Sequence, residues 1–171
     1  MSVESNDAYR QRIYQSYTSL HYPEALALNE QHLESSVPSV KSRLSGWLPE
    51  SRRAVCLDVG CGAGGLLFVL SSMGYDNLSG VDHSAEQISV ATRICANVVE
   101  GDAIEHLLKY QEKFDLITAF DIVEHFHKYE LLNFLDAVYG ALKPGGRIII
   151  QTPTGVVDHL YSHALNLLGK E

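Results

Sequence analysis

The segment Leu57-Asp58-Val59-Gly60-Cys61-Gly62-Ala63-Gly64-Gly65 decides the architecture of this chain. It closes an apolar run, so AVCLDV (54–59) reads as a short buried strand that ends at a glycine cluster. Glycines there let the backbone turn tightly and approach a ligand with no Cβ in the way. The next stretch, Leu66–Met73, reads as a helix whose first N–H groups aim at the same spot.

Working outward, the alternation continues. Leu78–Asp82 reads as a second strand, and Ser84 opens a helix with Gln87 at the reciprocal capping position. Ile94–Val99 reads as a third strand; Asp102 caps the next helix, with Glu105 reciprocal, through Tyr110. FDLITAF (114–120) is the fourth strand, Glu130–Leu142 a long amphipathic helix, and KPGG (143–146) the turn into RIIIQ (147–151), the fifth strand. Alternating strands and helices, with runs apolar on both sides of the pleat, specify an α/β domain with a doubly wound parallel sheet. In the other direction, residues 7–48 read as helical. Tyr9, Ile13, Tyr14 and Tyr17 recur at helical spacing, as do Leu26, Leu28 and Leu33 more loosely, and Pro23 and Pro38 divide the region. Residues 1–50 are thus expected to form a helical cap or lid, in which Tyr22 and the other tyrosines pack, and residues 51–171 the ligand-binding domain.

The bulk numbers exclude several classes. With 13 Lys+Arg against 21 Asp+Glu, a net charge of -8, the 171-residue chain is poorly suited to a large nucleic-acid surface, which rests on basic side chains. Three cysteines (56, 61 and 95) without CxxC spacing imply neither a disulfide framework nor a zinc site, so a reducing, cytoplasmic setting is expected. No apolar run reaches the length of a membrane span. His21, His32, His106 and His127 read as surface or packing residues, and Trp47 as a core anchor.

In a doubly wound sheet the ligand sits outside the carboxyl ends of the strands, and the chemistry-bearing residues follow those ends. Gly60, Gly62 and Gly65 also fit the dinucleotide fingerprint, a weak signal alone. Asp58, two residues before the first glycine, discriminates. Beside a pyrophosphate its carboxylate would repel; beside a ligand with an ammonium and a sulfonium it attracts, which favours S-adenosylmethionine (SAM) over a nicotinamide dinucleotide. Asp82, ending the second strand, can accept from a ribose diol, and Asp102, after the third, from an adenine amino group while also capping its helix. After the fourth strand come Asp121, Glu124 and His125, spaced i, i+3 and i+4, so that one helical turn would point all three into the cleft mouth. Histidine is the residue type suited to take a proton near neutral pH, so His125 reads as a general base with Glu124 or Asp121 to orient it; the alternative is a pair that merely caps and packs the following helix.

DVGCGAG, VDHS, EGDA, FDLITAFDIVEH and LKPGGRIIIQTP, in this order, resemble the sequential motifs of class I SAM-dependent methyltransferases of the small-molecule type, over roughly residues 54–153. The resemblance implies a Rossmann-like sheet of order 3-2-1-4-5 with SAM as cofactor. The cofactor-binding residues it implies are Asp58, Gly60, Cys61, Gly62, Gly64, Asp82, His83, Asp102, Ala103 and Phe120. It further implies methyl transfer to oxygen of a small-molecule or glycan-linked acceptor, with a non-catalytic SAM-binding module and, behind it, an NAD-dependent oxidoreductase as the other readings. Asp-x-x-Glu-His is also similar to a pattern in metal-assisted O-methyltransferases acting on quinone precursors and small-RNA ends. There, Asp121, Glu124 and His125 would hold a divalent ion, and this chain offers only Asp158, His159 and His163 as further ligands. Such folds continue after the fifth strand with a helix and an antiparallel strand pair. The 20 residues after Gln151 have room for little more than one helix, so the pair is expected to be missing, the domain incomplete at its C-terminus and the fifth strand an open edge.

Overall fold

The computed structural model describes residues 30–153 and 163–169, the latter by backbone alone. The elements are α1 (Glu30–Leu44), β1 (Val55–Val59), α2 (Gly65–Ser72), β2 (Asn77–Asp82), α3 (Ala85–Ala91), β3 (Val98–Glu100), α4 (Ala103–Leu107), β4 (Phe114–Phe120), a 3-10 turn (Val123–His125), α5 (Lys128–Ala141), β5 (Leu142–Pro153) and β6 (His163–Gly169). The tyrosines at 9, 14, 17 and 22, with Pro23, Leu26 and Leu28, lie outside the described residues, as do the side chains of Asp158, His159 and His163.

The sheet order is β3-β2-β1-β4-β5-β6, and its first five strands are parallel, as the alternation implied. Period-two alternation sorts the side chains to two faces. Leu57, Val59, Ile117, Ala119, Ile148 and Ile150 pack with Phe134, Ala137, Val138 and Ala141 of α5 and Leu107 of α4. Cys56, Leu116 and Ile149 face the other way, toward Leu67 and Leu70 of α2, Ala91 of α3 and Leu44 of α1. Strands buried on both faces between helical layers explain why the sequence showed continuous apolar runs.

Three expectations are corrected. First, the edge of β5 is not open: β6 pairs with it antiparallel from Arg147↔Gly169 to Pro153↔His163, in the tail expected to offer only a helix. An alternating ladder satisfies the backbone groups that an uncovered edge would leave to solvent. Second, β3 begins at Val98; Ile94 and Cys95 instead pack under the sheet beside Ala91. Third, α1 runs through Pro38 rather than ending there. The hydroxyls of Ser35 and Ser36 donate to the carbonyls of His32 and Leu33 at 2.8 and 2.7 Å, adding bonds in the turn that the proline weakens.

The described part of residues 1–50 lies against the α2 side of the sheet. Leu44 is buried in the α2-side core, with Val40 and Trp47 packed beside it. At the other end of α1, Leu33 reaches to 3.8 Å from where a Cβ on Gly65 would stand. Arg43 donates to Gln151 Oε1 at 3.2 Å, tying the helix to the carboxyl end of β5.

Candidate functional site

The carboxyl ends of β1, β2, β3 and β4 meet around the glycine loop. Gly60 and Cys61 donate their N–H groups to the Val81 carbonyl at 2.8 and 3.1 Å, so the loop folds across the end of β2. Gly60 has φ +69, and a Cβ there would stand 3.0 Å from Ile122 Cδ1, the residue that follows β4's exit. Gly62 has φ +53, and a Cβ there would come within 2.7 Å of Gln87 Oε1. Both positions therefore combine a left-handed backbone with close neighbours, which is what a glycine is needed for.

Asp82 is the hub of this loop. Its Oδ2 accepts from Gly62 N–H and its Oδ1 from Ser84 N–H, both at 2.8 Å. Burial raises its pKa, which the bonds from Ser84 and Gly62 and the nearby His83 partly oppose. The N–H of His83 donates to it as well, so this carboxylate accepts from three backbone donors and keeps lone-pair capacity for one more donor. Asp102 accepts from the N–H groups of Ile104 and Glu105 through Oδ1 alone, at 2.8 and 2.9 Å, so its capping role leaves Oδ2 to a ligand.

Asp58 lies deeper, only 3% exposed. Its Oδ1 accepts from Thr118 Oγ1 at 2.7 Å. Burial, against that bond and with the charge of Asp82 adding to it, pushes the Asp58 carboxyl up to about 7. A cation at this position would bring it back down.

The other expected residues divide. Gly64 is the left-handed N-cap of α2, and its N–H donates to the Cys61 carbonyl. The Cys61 side chain is buried against Gly80, so any ligand contact from this residue is through its backbone. Burial and the charges of Asp58 and Asp82 push its thiol up, which disfavours the thiolate. Ala103 is buried at the start of α4, while His83 and Phe120 are half-buried at the strand ends. Sequence reasoning missed Thr118 and the reach of Gln87 over Gly62. The signal for Thr118 was a single hydroxyl in the otherwise apolar FDLITAF interior, but its pairing with Asp58 needed the β1–β4 register.

The helical turn expected to gather Asp121, Glu124 and His125 does not form. Asp121 is left-handed (φ 53) and donates its N–H to the Gln151 carbonyl, and only Val123–His125 are helical, as a 3-10 turn. All three residues remain at the rim and are exposed. Glu124 Oε2 accepts from Thr152 Oγ1 at 3.1 Å, linking this loop to the end of β5. Among the described residues no group of three or more His, Cys, Asp or Glu side chains is placed to hold a metal ion, so the described residues do not fit a metal centre. Among them, too, no helix is long and apolar enough to cross a membrane.

Comparison with known proteins agrees with this geometry. The family model described as a methyltransferase domain matches residues 30–168. The chain is 36% identical over 107 residues to the mitochondrial ubiquinone biosynthesis O-methyltransferase of Rattus norvegicus, covering 56% of this chain and 30% of that one. It is 28% identical over 119 residues to a tRNA U34 carboxymethyltransferase of Desulfotalea psychrophila, covering 64% and 36%. The crystal structure of a SAM-dependent methyltransferase from Archaeoglobus fulgidus superposes with a TM-score of 0.59 at 30% identity, covering 74% of this chain and 57% of that one. The chain thus spans about a third of the length of the two curated relatives. A glycine loop bound to a strand-end carboxylate, a parallel 3-2-1-4-5 core and a family match over most of its length place it together: the chain belongs to the methyltransferase-domain family of class I SAM-dependent methyltransferases.

Proposed function

We propose that the chain binds SAM and transfers its methyl group to an oxygen of a small-molecule or glycan-linked acceptor. The observation that carries this reading is the series of three carboxylates at successive strand ends. Asp58 is buried and its pKa is raised chiefly by that burial, Asp82 closes the end of β2 with lone-pair capacity left for a hydroxyl, and Asp102 caps α4 through Oδ1 alone. That series fits an ammonium, a ribose and an adenine in order, and its first carboxylate would repel a pyrophosphate. When bound, SAM supplies a methyl group on a sulfonium, ready for in-line displacement. The protein's contribution is then alignment and exclusion of water.

Residues 1–50 are read as the cap over that site, a role in keeping with the place of Leu33 beside Gly65, where an added Cβ would meet it at 3.8 Å. At the rim, His125 is the proposed base for an acceptor hydroxyl, with Glu124 and Asp121 as its orienting carboxylates. The bond from Thr152 to Glu124 fixes one of these carboxylates against β5, on the side of the sheet where an acceptor would enter. The quinone-pathway relative supports a small acceptor oxygen. The tRNA-modifying relative points to a larger acceptor, which the net charge of -8 disfavours.

Calorimetric titration with S-adenosylhomocysteine, with NAD alongside, tests the cofactor. Micromolar binding of the first and none of the second is expected, and the reverse order would sink the proposal. For the base, His125→Ala is expected to lower turnover on a hydroxyl acceptor by 100-fold or more while leaving S-adenosylhomocysteine affinity unchanged. Equal turnover in that variant would remove His125 from the mechanism.

A further inference from the structure

Asp58 stands in the sheet between Gly80 of β2 and Thr118 of β4, its direct partners in the two registers. Gly80 has no side chain, and the space above it is filled by the Cys61 side chain. The neighbour able to hold the carboxylate is therefore Thr118, itself 1% exposed. Its hydroxyl has one proton and two acceptors within reach: Asp58 Oδ1 at 2.7 Å and the Leu57 carbonyl at 3.4 Å. The shorter bond, to a charged oxygen, takes the proton. We infer that Thr118 is a positioning residue for cofactor binding: its hydroxyl fixes the Asp58 carboxylate in one orientation and favours its ionised form, the form that receives the ligand's ammonium.

This rests on the proposed role of Asp58. The bond opposes what burial and the neighbouring Asp82 do to Asp58, and the other titratable group on this side, the Cys61 thiol, is held neutral. Take away the hydroxyl and no other side chain among the described residues donates to Asp58: the carboxyl should hold its proton to higher pH, and ligand binding should require higher pH to match.

The test is the affinity of S-adenosylhomocysteine between pH 5.5 and 9 for the unaltered protein and for Thr118→Val, Thr118→Ser and Asp58→Asn. Thr118→Val keeps shape and strand preference but has no donor. It is expected to weaken binding roughly tenfold at neutral pH and to move the midpoint of the pH profile upward by about one unit, with Thr118→Ser restoring both. An unshifted profile in Thr118→Val, or a uniform loss at every pH that serine does not rescue, overturns the inference. If the valine variant fails to fold, Thr118→Ala carries the same expectation and the same refutation. Asp58→Asn separates the two levels of the argument. If it binds as tightly as the unaltered protein and with the same profile, the role of Asp58 itself is wrong. If it weakens binding while Thr118→Val does not, only the role of Thr118 falls.

Discussion

The two ends of the sheet treat a strand carboxylate in opposite ways. At the amino end, Asp115 of β4 accepts from Lys143 Nζ and from Val55 N–H, each at 2.7 Å. Partial burial pushes its pKa upward, but the bonds from Lys143 and Val55 and the lysine's charge outweigh it and hold the group below its ordinary value. At the carboxyl end, Asp58 has a threonine hydroxyl where Asp115 has a lysine, and burial lifts it from 3.8 to about 7. The first arrangement closes on itself and staples β1, β4 and β5. The second is a buried carboxyl held by one hydroxyl, with no charged side-chain partner among the described residues. A buried carboxylate without a charged partner costs the fold stability, which supports the proposed cofactor site at the carboxyl end of the sheet.

Asp82 offers the largest test of the contrast. Both of its oxygens face backbone N–H groups, those of Gly62 and Ser84. In Asp82→Asn the amide nitrogen must meet one of these donors head-on, whichever way the side chain is turned, and the charge that strengthened both bonds is gone. S-adenosylhomocysteine affinity is expected to fall roughly 100-fold, counting one lost and one reversed charge-assisted bond. A loss under threefold by calorimetry would mean that the loop is held by its bonds to the Val81 carbonyl and that Asp82 has no ligand role.

Asp58 sharpens the contrast because stability and binding should move in opposite directions. The folded chain keeps a proton on Asp58 at pH values where the unfolded chain has lost it. Stability of the ligand-free protein should therefore fall as pH climbs through the window from 3.8 to about 7. Asp58→Asn keeps an acceptor for Thr118 and removes the charge. At pH 8 it is expected to unfold at higher urea concentration than the unaltered protein, by on the order of 2 kcal/mol, and to bind S-adenosylhomocysteine roughly tenfold more weakly. Urea titrations at pH 5 and pH 8 check the first part. Equal stability of the two proteins at both pH values would show that Asp58 is already compensated in the free protein.

These contrasts mark how far the sequence could be followed. The five parallel strands, the capping of α3 by Ser84 and of α4 by Asp102, and the glycine loop were legible because each rests on local chemistry: an apolar run, a side chain reaching two or three residues on, a turn without Cβ. What escaped was set by distant partners. Thr118 gains its meaning only from lying opposite Asp58, sixty residues away in the chain. Asp121 reads as helical by spacing, yet the Gln151 carbonyl takes its N–H and the residue turns left-handed. The β6 ladder was missed because the 163–169 segment has a pattern that fits a helix as well as a strand, and only the edge of β5 decides between them.

The smallest effect belongs to the end that is already complete. Lys143 and Asp115 are each about one-third exposed, so solvent screens most of their attraction, and a part-exposed pair of this kind contributes little. Lys143→Met is expected to lower stability by about 0.5–1 kcal/mol at pH 7. The sign of its pH dependence is opposite to that of Asp58. A carboxyl held below its ordinary value stabilises the fold above that value, and the contribution disappears as the group is protonated in acid. The cost of the lysine variant should therefore shrink toward zero as Asp115 is protonated in acid. S-adenosylhomocysteine affinity should not change, since this pair lies at the opposite end of β4 from Phe120. A Lys143→Met protein that folds normally but loses cofactor affinity would show that the two ends of the sheet are coupled, and that the closed end helps to set the geometry of the open one.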